Sequence, residues 1–440
     1  MSRSHIALLA HMGYEKYCHA DGEPFFDPEL FDVTFIASPE HLSRVVPGRV
    51  MRSIEIDARN EEKSMTALYA LKGGPRVDWI VATAEWLMLP AARIRDALGL
   101  PGFTEAQVLT LRDKVKMKRH FAERGIKTPE FIEIREPMDA AYFLAKHGAI
   151  IIKPVYGMES FDVHIVRDRA GLEVIQRRGF KRPEFYEAEE FIVGSQFHID
   201  SVVHNGCPVT TKVSKYVDTH LAFPLNGQMR SHTVDAGPEC EVLLEFNRRV
   251  LSVIDWFSGV AHLELFLDPD GEPVLCEIGG RPGGAGISAA FQHSHGASLH
   301  FASILPQIGQ PVPRYQACQP KERQATGWSM VYPPAPGRFI QYGPLPSAEW
   351  LVELRTPYKS GDIVKEPERS TDALAVTTVC GTNAREVLER LQTVKNGISA
   401  VIEPYDAGFE PVSTGLREDV RKIQSHLPFG QASDPSRAEA

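Results

Sequence analysis

The sequence predicts a mixed α/β and α+β protein of several domains, opening with a doubly wound parallel unit. Three observations carry this. Strand-like and helix-like runs alternate through the first hundred residues. Strands with antiparallel turn signals surround one helix from 185 to 278, and a section richer in Pro and Gly, with short strands, runs from about 310 to 404. At about 100–200 residues per domain, 440 residues suggest two to four domains and a core that needs no staples. Charged residues make up 24% and hydrophobic ones 43%, which excludes wholesale disorder. The net charge of −9 leaves no surplus cation to hold a nucleic-acid backbone, so no nucleic-acid partner is expected.

The elements follow in order. Short apolar strands are expected at 5–10, 33–37 and 79–82. After the third comes a helix over 86–98, where Leu87, Ala91, Ile94 and Leu98 recur at helical spacing. One further helix is expected from about Thr104 through Leu111, Val115 and Phe121 to Gly125. Strands follow at 149–152 and 163–166, then a helix at about 241–256, and a last helix at 384–394 within what reads as a separate α+β domain. The polar end of the chain is expected to fray.

The apolar run at 6–10 is too short for a signal peptide, which wants about 7–15 residues. No stretch approaches the roughly 18 apolar residues of a membrane span. The six cysteines form no C-x-x-C pair and read as reduced thiols. A cytoplasmic protein with no membrane partner is expected.

The stretch 260–280 is the most informative. Asp270-Gly271 signals a two-residue hairpin turn, which would set Glu264 directly opposite Glu277. Leu263, Leu265, Leu267, Val274, Cys276 and Ile278 then share an apolar core face; His262, Glu264, Phe266, Leu275 and Glu277 share the other. Opposed carboxylates repel, so a proton, a Lys or Arg, or a divalent cation must compensate, unless both acids face water. The glycine-rich run Gly279-Gly280-Arg281-Pro282-Gly283-Gly284 lets backbone approach a ligand and places a guanidinium four residues past Glu277. His262 on the same face reads as a residue that supports the metal-holding acids or packs, rather than as a ligand itself, and His293, His295 and His300 read as surface or helix residues.

Lys153 ends an apolar strand before a glycine-containing loop, a setting that suits contact with a phosphate. Lys114 shares a helix with Lys116 and Lys118, which by itself reads as a solvated basic face. Glu189-Glu190-Phe191-Ile192 could offer backbone groups to an adenine edge. Glu85 follows the 79–82 strand at the carboxyl edge of the sheet, where ligands bind. It is a candidate to receive the α-ammonium group of an amino acid, or else a helix-start acid favoured by the dipole.

In this order the residues resemble the ATP-grasp superfamily: Lys153-Pro154…Gly157…Ser160, Glu189-Glu190-Phe191-Ile192 with Gly194, His262-Leu263-Glu264, Glu277…Arg281, and Arg112-Asp113-Lys114…Met117-Lys118. Within it, Ala84-Glu85-Trp86, Leu98-Gly99-Leu100 and the later Gly337-Arg338-Phe339 are similar to amino-acid ligases that make dipeptides and related amides. The resemblance implies an ATP-grasp fold: an N-terminal Rossmann-like pre-ATP-grasp domain at 1–112, the ATP-grasp domain at 113–309, a C-terminal α+β domain at 310–405, and a tail at 406–440. It implies that Lys114 and Lys153 contact ATP phosphates, and that Glu190 and Ile192 take the adenine edge with Glu189 and Phe191 beside them. Gln196 would lie near the ribose, and Glu264 and Glu277 would hold Mg²⁺, or Mn²⁺ in its place. Arg281 would act with Lys153 in catalysis, and Arg281, Gly284, Glu85 and, more weakly, His232 would meet substrate.

The implied reaction joins a carboxylate to an amine through an acyl phosphate, with small-molecule substrates and a homodimeric assembly. Rival outcomes are a carboxylase, a kinase of a small acid, and a silent nucleotide-binding regulator. Lids are expected at the Gly157 loop and at 218–230. Two departures stand out. Gly279 replaces the Asn that many members use as a further metal ligand, and Met229 stands where an acid is expected near the substrate.

Overall fold

Hydrogen bonding sorts the strands of the computed structural model, among the described residues, into four sheets. The structure describes residues 3–404 except 20, 44, 46–47, 57–60, 71–75, 179–184, 218–226 and 313–324. The polar tail, Cys318 and most of the expected 218–230 lid lie outside the described residues.

The first sheet is wholly parallel, in the order Arg52–Glu55, Phe31–Ala37, Ser4–Leu9, Trp79–Ala82. Arg52–Glu55 escaped the sequence reading because it is short, polar and largely exposed. The helix Glu85–Leu98 lays Leu87, Ala91 and Ile94 on Ala7, Leu9, Ile36 and Ile80, as its spacing predicted. Gln307 exchanges two 3.0 Å hydrogen bonds with the backbone of Ala82, as a neighbouring strand would. That fixes the strand end from which Glu85 projects.

The helix expected from 104 to 125 is two helices, Glu105–Arg112 and Lys114–Ala122. Asp113 breaks it: its backbone is extended and its side chain accepts from the Lys116 amide at 2.9 Å, capping a new helix. Apolar spacing ran through the break because both helices bury a face.

A four-stranded antiparallel sheet follows, ordered Phe131–Ile134, Tyr186–Glu190, Ile150–Pro154, His164–Val166. The helices Pro137–His147 and Arg169–Arg178 cover one face. Its register sets Lys153 opposite Glu187 and Ile151 opposite Glu189.

The largest sheet has eight antiparallel strands: Pro273–Gly279, Gly259–Leu267, Ser195–His204, Cys207–Tyr216, Gln228–Thr233, Ala325–Val331, Ala375–Gly381 and Leu351–Arg355. The helices Pro238–Ser252 and Lys114–Ala122 pack on it with Phe197, Leu263, Leu265 and Ile278. Each such fully buried side chain contributes about 1.5–3 kcal/mol. Against Val202, Val260, Trp328 and Met330 pack the helices Ile287–His295 and Leu299–Ile304. The section after 310 does not stand apart as expected. Three of its strands continue this sheet, because Ala325–Val331 pairs with Gln228–Thr233. Only Ile363–Val364, Gly337–Tyr342 and Ala400–Glu403 form a small sheet of their own.

Candidate active site

A cavity of about 1300 Å³ opens between the four-stranded sheet, the 259–279 hairpin and the glycine-rich run. Glu264 and Glu277 both line it, directly opposite each other on the ladder. The pairing is as expected, but the turn is not. The loop closes at Asp268, whose amide donates to the Glu272 carbonyl at 3.1 Å, so the register beyond it is one residue off. A bulge at Cys276 restores it. The shifted register also corrects three face assignments. Leu275, opposite Leu265, joins the core; Val274, opposite Phe266, leaves the core face; and Cys276 borders the cavity, its thiol pushed up to about 12 by burial.

The two acids keep 17% and 24% of their side-chain surface. Lys114 Nζ lies 2.9 Å from Glu277, and the Tyr216 hydroxyl donates to Glu264 at 2.9 Å. His262 Nε2 stands 3.3 Å from Glu264, and its Nδ1 donates to Asp200 at 2.8 Å. Burial opposes a charge on His262, but Asp200 and Glu264 outweigh it and hold its pKa at about 10. His198, Asp200 and His262 converge closely enough to suggest a metal centre. Their nitrogens are already engaged, however: His198 bridges Asp200 at 2.7 Å and Ser231 at 2.8 Å. By contrast, the partly open carboxylate pair supplies the hard oxygen donors that suit Mg²⁺ together with substrate phosphates. Gly279 adds no side-chain donor.

The lysines do not form a solvated basic face. Lys116 is exposed, but Lys114 is buried and Lys118 fully so. Lys118 sits between Glu187 and Glu189, each at 2.5 Å, and Lys153 Nζ lies 2.6 Å from Glu189. Burial works against the charge on Lys153, yet Glu189 and its neighbours raise its pKa well above the ordinary value. Burial likewise opposes ionisation of Glu189, which Lys118 and Lys153 nonetheless hold at about 2. Lys114 also donates to the Gly157 carbonyl at 2.9 Å.

Glu189, Glu190, Phe191, Ile192 and Gln196 line the cavity beyond Lys153. The Arg167 guanidinium lies over the Phe191 ring at 4.8 Å, with two buried nitrogens lacking a partner. Gly194 runs so close to the hairpin that a Cβ would meet the Leu267 carbonyl oxygen at 2.2 Å. The Gly157 loop holds Glu159, Ser160 and Asp162 in left-handed backbone and is fastened to the later chain. The Ser370 amide donates to Glu159 at 2.9 Å, and Arg369 pairs with its carboxylate at 3.2 Å.

Arg281 reaches the cavity from the glycine-rich run, and Gly284 lines it with open space around it. Glu85 is not free to receive an ammonium group. Its Oε1 accepts from Arg112 at 2.9 Å and its Oε2 from Arg281 Nε at 2.7 Å. Burial pulls the Glu85 carboxyl up, but the two guanidiniums hold it at about 2. His232 is absent from the cavity lining, its Nδ1 lying 2.8 Å from the Thr233 carbonyl oxygen. His293 and His295 lie on a helix as expected; His300 does too, but it faces the cavity. Sequence reasoning gave no role to Lys118, Arg112, Arg167, Asp200 or Tyr216. Apart from His198, two residues from Asp200, their partners lie tens of residues away.

Residues 111–285 match the model of the ATP-grasp domain family. Over 342 residues, 74% of this chain and 81% of the other, the sequence is 27% identical to the L-arginine-specific L-amino acid ligase of Bacillus subtilis. It is 23% identical over 227 residues, 48% of this chain and 74% of the other, to the D-alanine--D-alanine ligase of Gloeobacter violaceus. An L-amino acid ligase from Bacillus licheniformis superposes with a TM-score of 0.68 at 19% identity, covering 92% of this chain and all of that one. Phosphoribosylglycinamide synthetase from Anaerococcus prevotii gives 0.64 at 16% identity, covering 91% and 100%.

Proposed function

Starting from an ATP-grasp domain at residues 111–285, we propose that this chain is an ATP-dependent ligase that joins a carboxylate, that of an amino acid, to an amine. One observation carries the reading: Lys114, Lys153 and Arg281 converge on the same cavity as the opposed Glu264 and Glu277. Such a site can neutralise two anions that must meet.

A carboxylate oxygen attacks the γ-phosphorus of ATP, the bond to the β-phosphate oxygen breaks, and ADP leaves. An amine nitrogen then attacks the acyl carbon of the acyl phosphate, the carbon–oxygen bond to phosphate breaks, and the nitrogen loses a proton. Glu264 and Glu277 would hold Mg²⁺, which supplies charge neutralisation and in-line positioning of the phosphates. Lys114 and Lys153 hold the phosphates, and the 190–192 segment flanks the base, with Gln196 towards the ribose. Arg281 stabilises negative charge on the acyl phosphate and on the tetrahedral intermediate. Glu85 fixes the Arg281 guanidinium in place, a positioning role that replaces direct contact with an ammonium group. The described cysteines are free thiols, which suits the cytoplasm, and among the described residues no helix is long and apolar enough to cross a membrane.

The test is phosphate release from ATP and Mg²⁺ with amino acids singly and in pairs, with mass spectrometry of the products. Release that needs two substrates, with a product mass equal to their sum less water, is the expected result. Turnover with a single acid to a stable phosphorylated product would make it a kinase. Bicarbonate-dependent turnover would make it a carboxylase. ATP binding without turnover across a broad panel would make it a regulator.

A further inference from the structure

One part of the cavity is lined by a cluster of polar and cationic side chains. Lys16, on the short helix Tyr14–Tyr17, lines it with His11, Trp86, Ser288, His300 and Arg355. The His11 ring meets Trp86 edge-on, with centroids 5.6 Å apart. The Trp86 indole nitrogen, the Ser288 hydroxyl and His300 Nδ1 are buried there without hydrogen-bond partners. An indole nitrogen only donates, and buried polar groups are rarely left unpaired, so this part calls for a ligand rich in acceptors.

The charge balance points the same way. Each acid here already has a partner: Glu85 has Arg112 and Arg281, and Glu353 lies 3.3 Å from Arg355. Lys16 has no ion pair among the described residues. Burial, then His300, His41 and Arg281, drives the His11 pKa down to about 3; burial, then Lys16 and Arg355, drives His300 to about 4. Both rings are therefore neutral in positive surroundings.

We propose that the part of the cavity bounded by Lys16, Trp86, His300 and Arg355 is an anion subsite for a free carboxylate, one that is not activated. The inference rests on the ligase reading for the identity of its ligand. That carboxylate has two chemical sources: the side chain of an acidic amino acid, or the α-carboxylate of the amine-bearing substrate. An arginine side chain would instead meet Lys16 and Arg355.

The test is calorimetric titration of the full chain with Mg²⁺ and a non-hydrolysable ATP analogue present. L-aspartate and L-glutamate are compared with asparagine, glutamine, and the α-amides of aspartate and glutamate. Amidating the carboxylate held by the subsite weakens binding on the order of tenfold, as expected for one charge-assisted contact. Loss on side-chain amidation identifies an acidic substrate; loss on α-amidation identifies the α-carboxylate. In Lys16→Met, a change at an exposed position, that difference disappears. Equal binding of acids and amides, no binding at all, or a difference that survives Lys16→Met would overturn the subsite. A binding difference that persists while no pair is ever ligated would remove the ligase reading and leave the subsite standing.

Discussion

Two pairs of carboxylates lie at one cavity, three of the four lining it and Glu187 behind its wall, and are treated in opposite ways. Glu187 and Glu189 are closed in with Lys118 and Lys153, two acids against two lysines with almost no solvent contact. Glu264 and Glu277 keep part of their side-chain surface open beside their partners Lys114, Tyr216 and His262. A closed quartet, one lysine to each acid, holds a lysine in position; a partly open pair can take up a further cation. The contrast separates structural charge from working charge, and it can be tested by breaking each side.

The largest effect is expected in the closed group. Lys118→Met leaves two buried carboxylates with one lysine and should cost about 3–5 kcal/mol of unfolding free energy in urea titration. A loss below about 1 kcal/mol would mean that the quartet is not held by its charges. For the open pair the expectation reverses. Glu277→Gln should lose on the order of 100-fold or more in phosphate release, because even outer partners of a metal ligand are worth 10–100-fold. Its stability should fall by less than that of Lys118→Met, because Glu277 keeps 24% of its side-chain surface and the glutamine can still accept from Lys114. Comparable destabilisation by both variants would erase the distinction.

A smaller effect is expected at Glu85→Gln. Freed from its anchor, Arg281 should lower kcat on the order of tenfold, about 1.4 kcal/mol, while the KM for ATP stays put. Restoration by Glu85→Asp would mark the effect as one of positioning. The acid limb of stability gives a further test of the closed group. Glu189 titrates at about 2 in the fold instead of 4.5, so its contribution is complete above about 4.5 and is lost as pH falls towards 2. Glu85 shares that window. Unfolding midpoints of Glu189→Gln measured between pH 4.5 and 2 should therefore show a shallower slope than wild type, though not a flat one. An unchanged slope would reject the assignment.

The open pair was legible in the sequence and the closed quartet was not, for a physical reason. Glu264 and Glu277 could be paired from twenty residues of text, though only because two offsets the text did not show, the shift at the turn and the bulge at Cys276, cancel. Lys118 meets Glu187 and Glu189 only because a helix docks under strands some seventy residues later, and helix spacing cannot say whether a lysine face is wet. That the first sheet is parallel was readable from alternation; its edge strand Arg52–Glu55 was not. The break at Asp113 was not, because both flanking helices continue one apolar rhythm. Glu85 illustrates a subtler limit. Its place at a strand end was read correctly, but two arginines, one 27 and one 196 residues away, had already claimed it.

The bulge at Cys276 amounts to one spare residue between the turn and the acids. Deleting Cys276 would straighten the ladder without changing which residue faces which: Leu265 would still meet Leu275, and Glu264 would still meet Glu277. Inserting a residue there has no such slack to draw on, and would rotate Glu277 towards the core. The hairpin therefore tolerates length changes in one direction only, so natural variation in length at this point should run towards loss rather than gain.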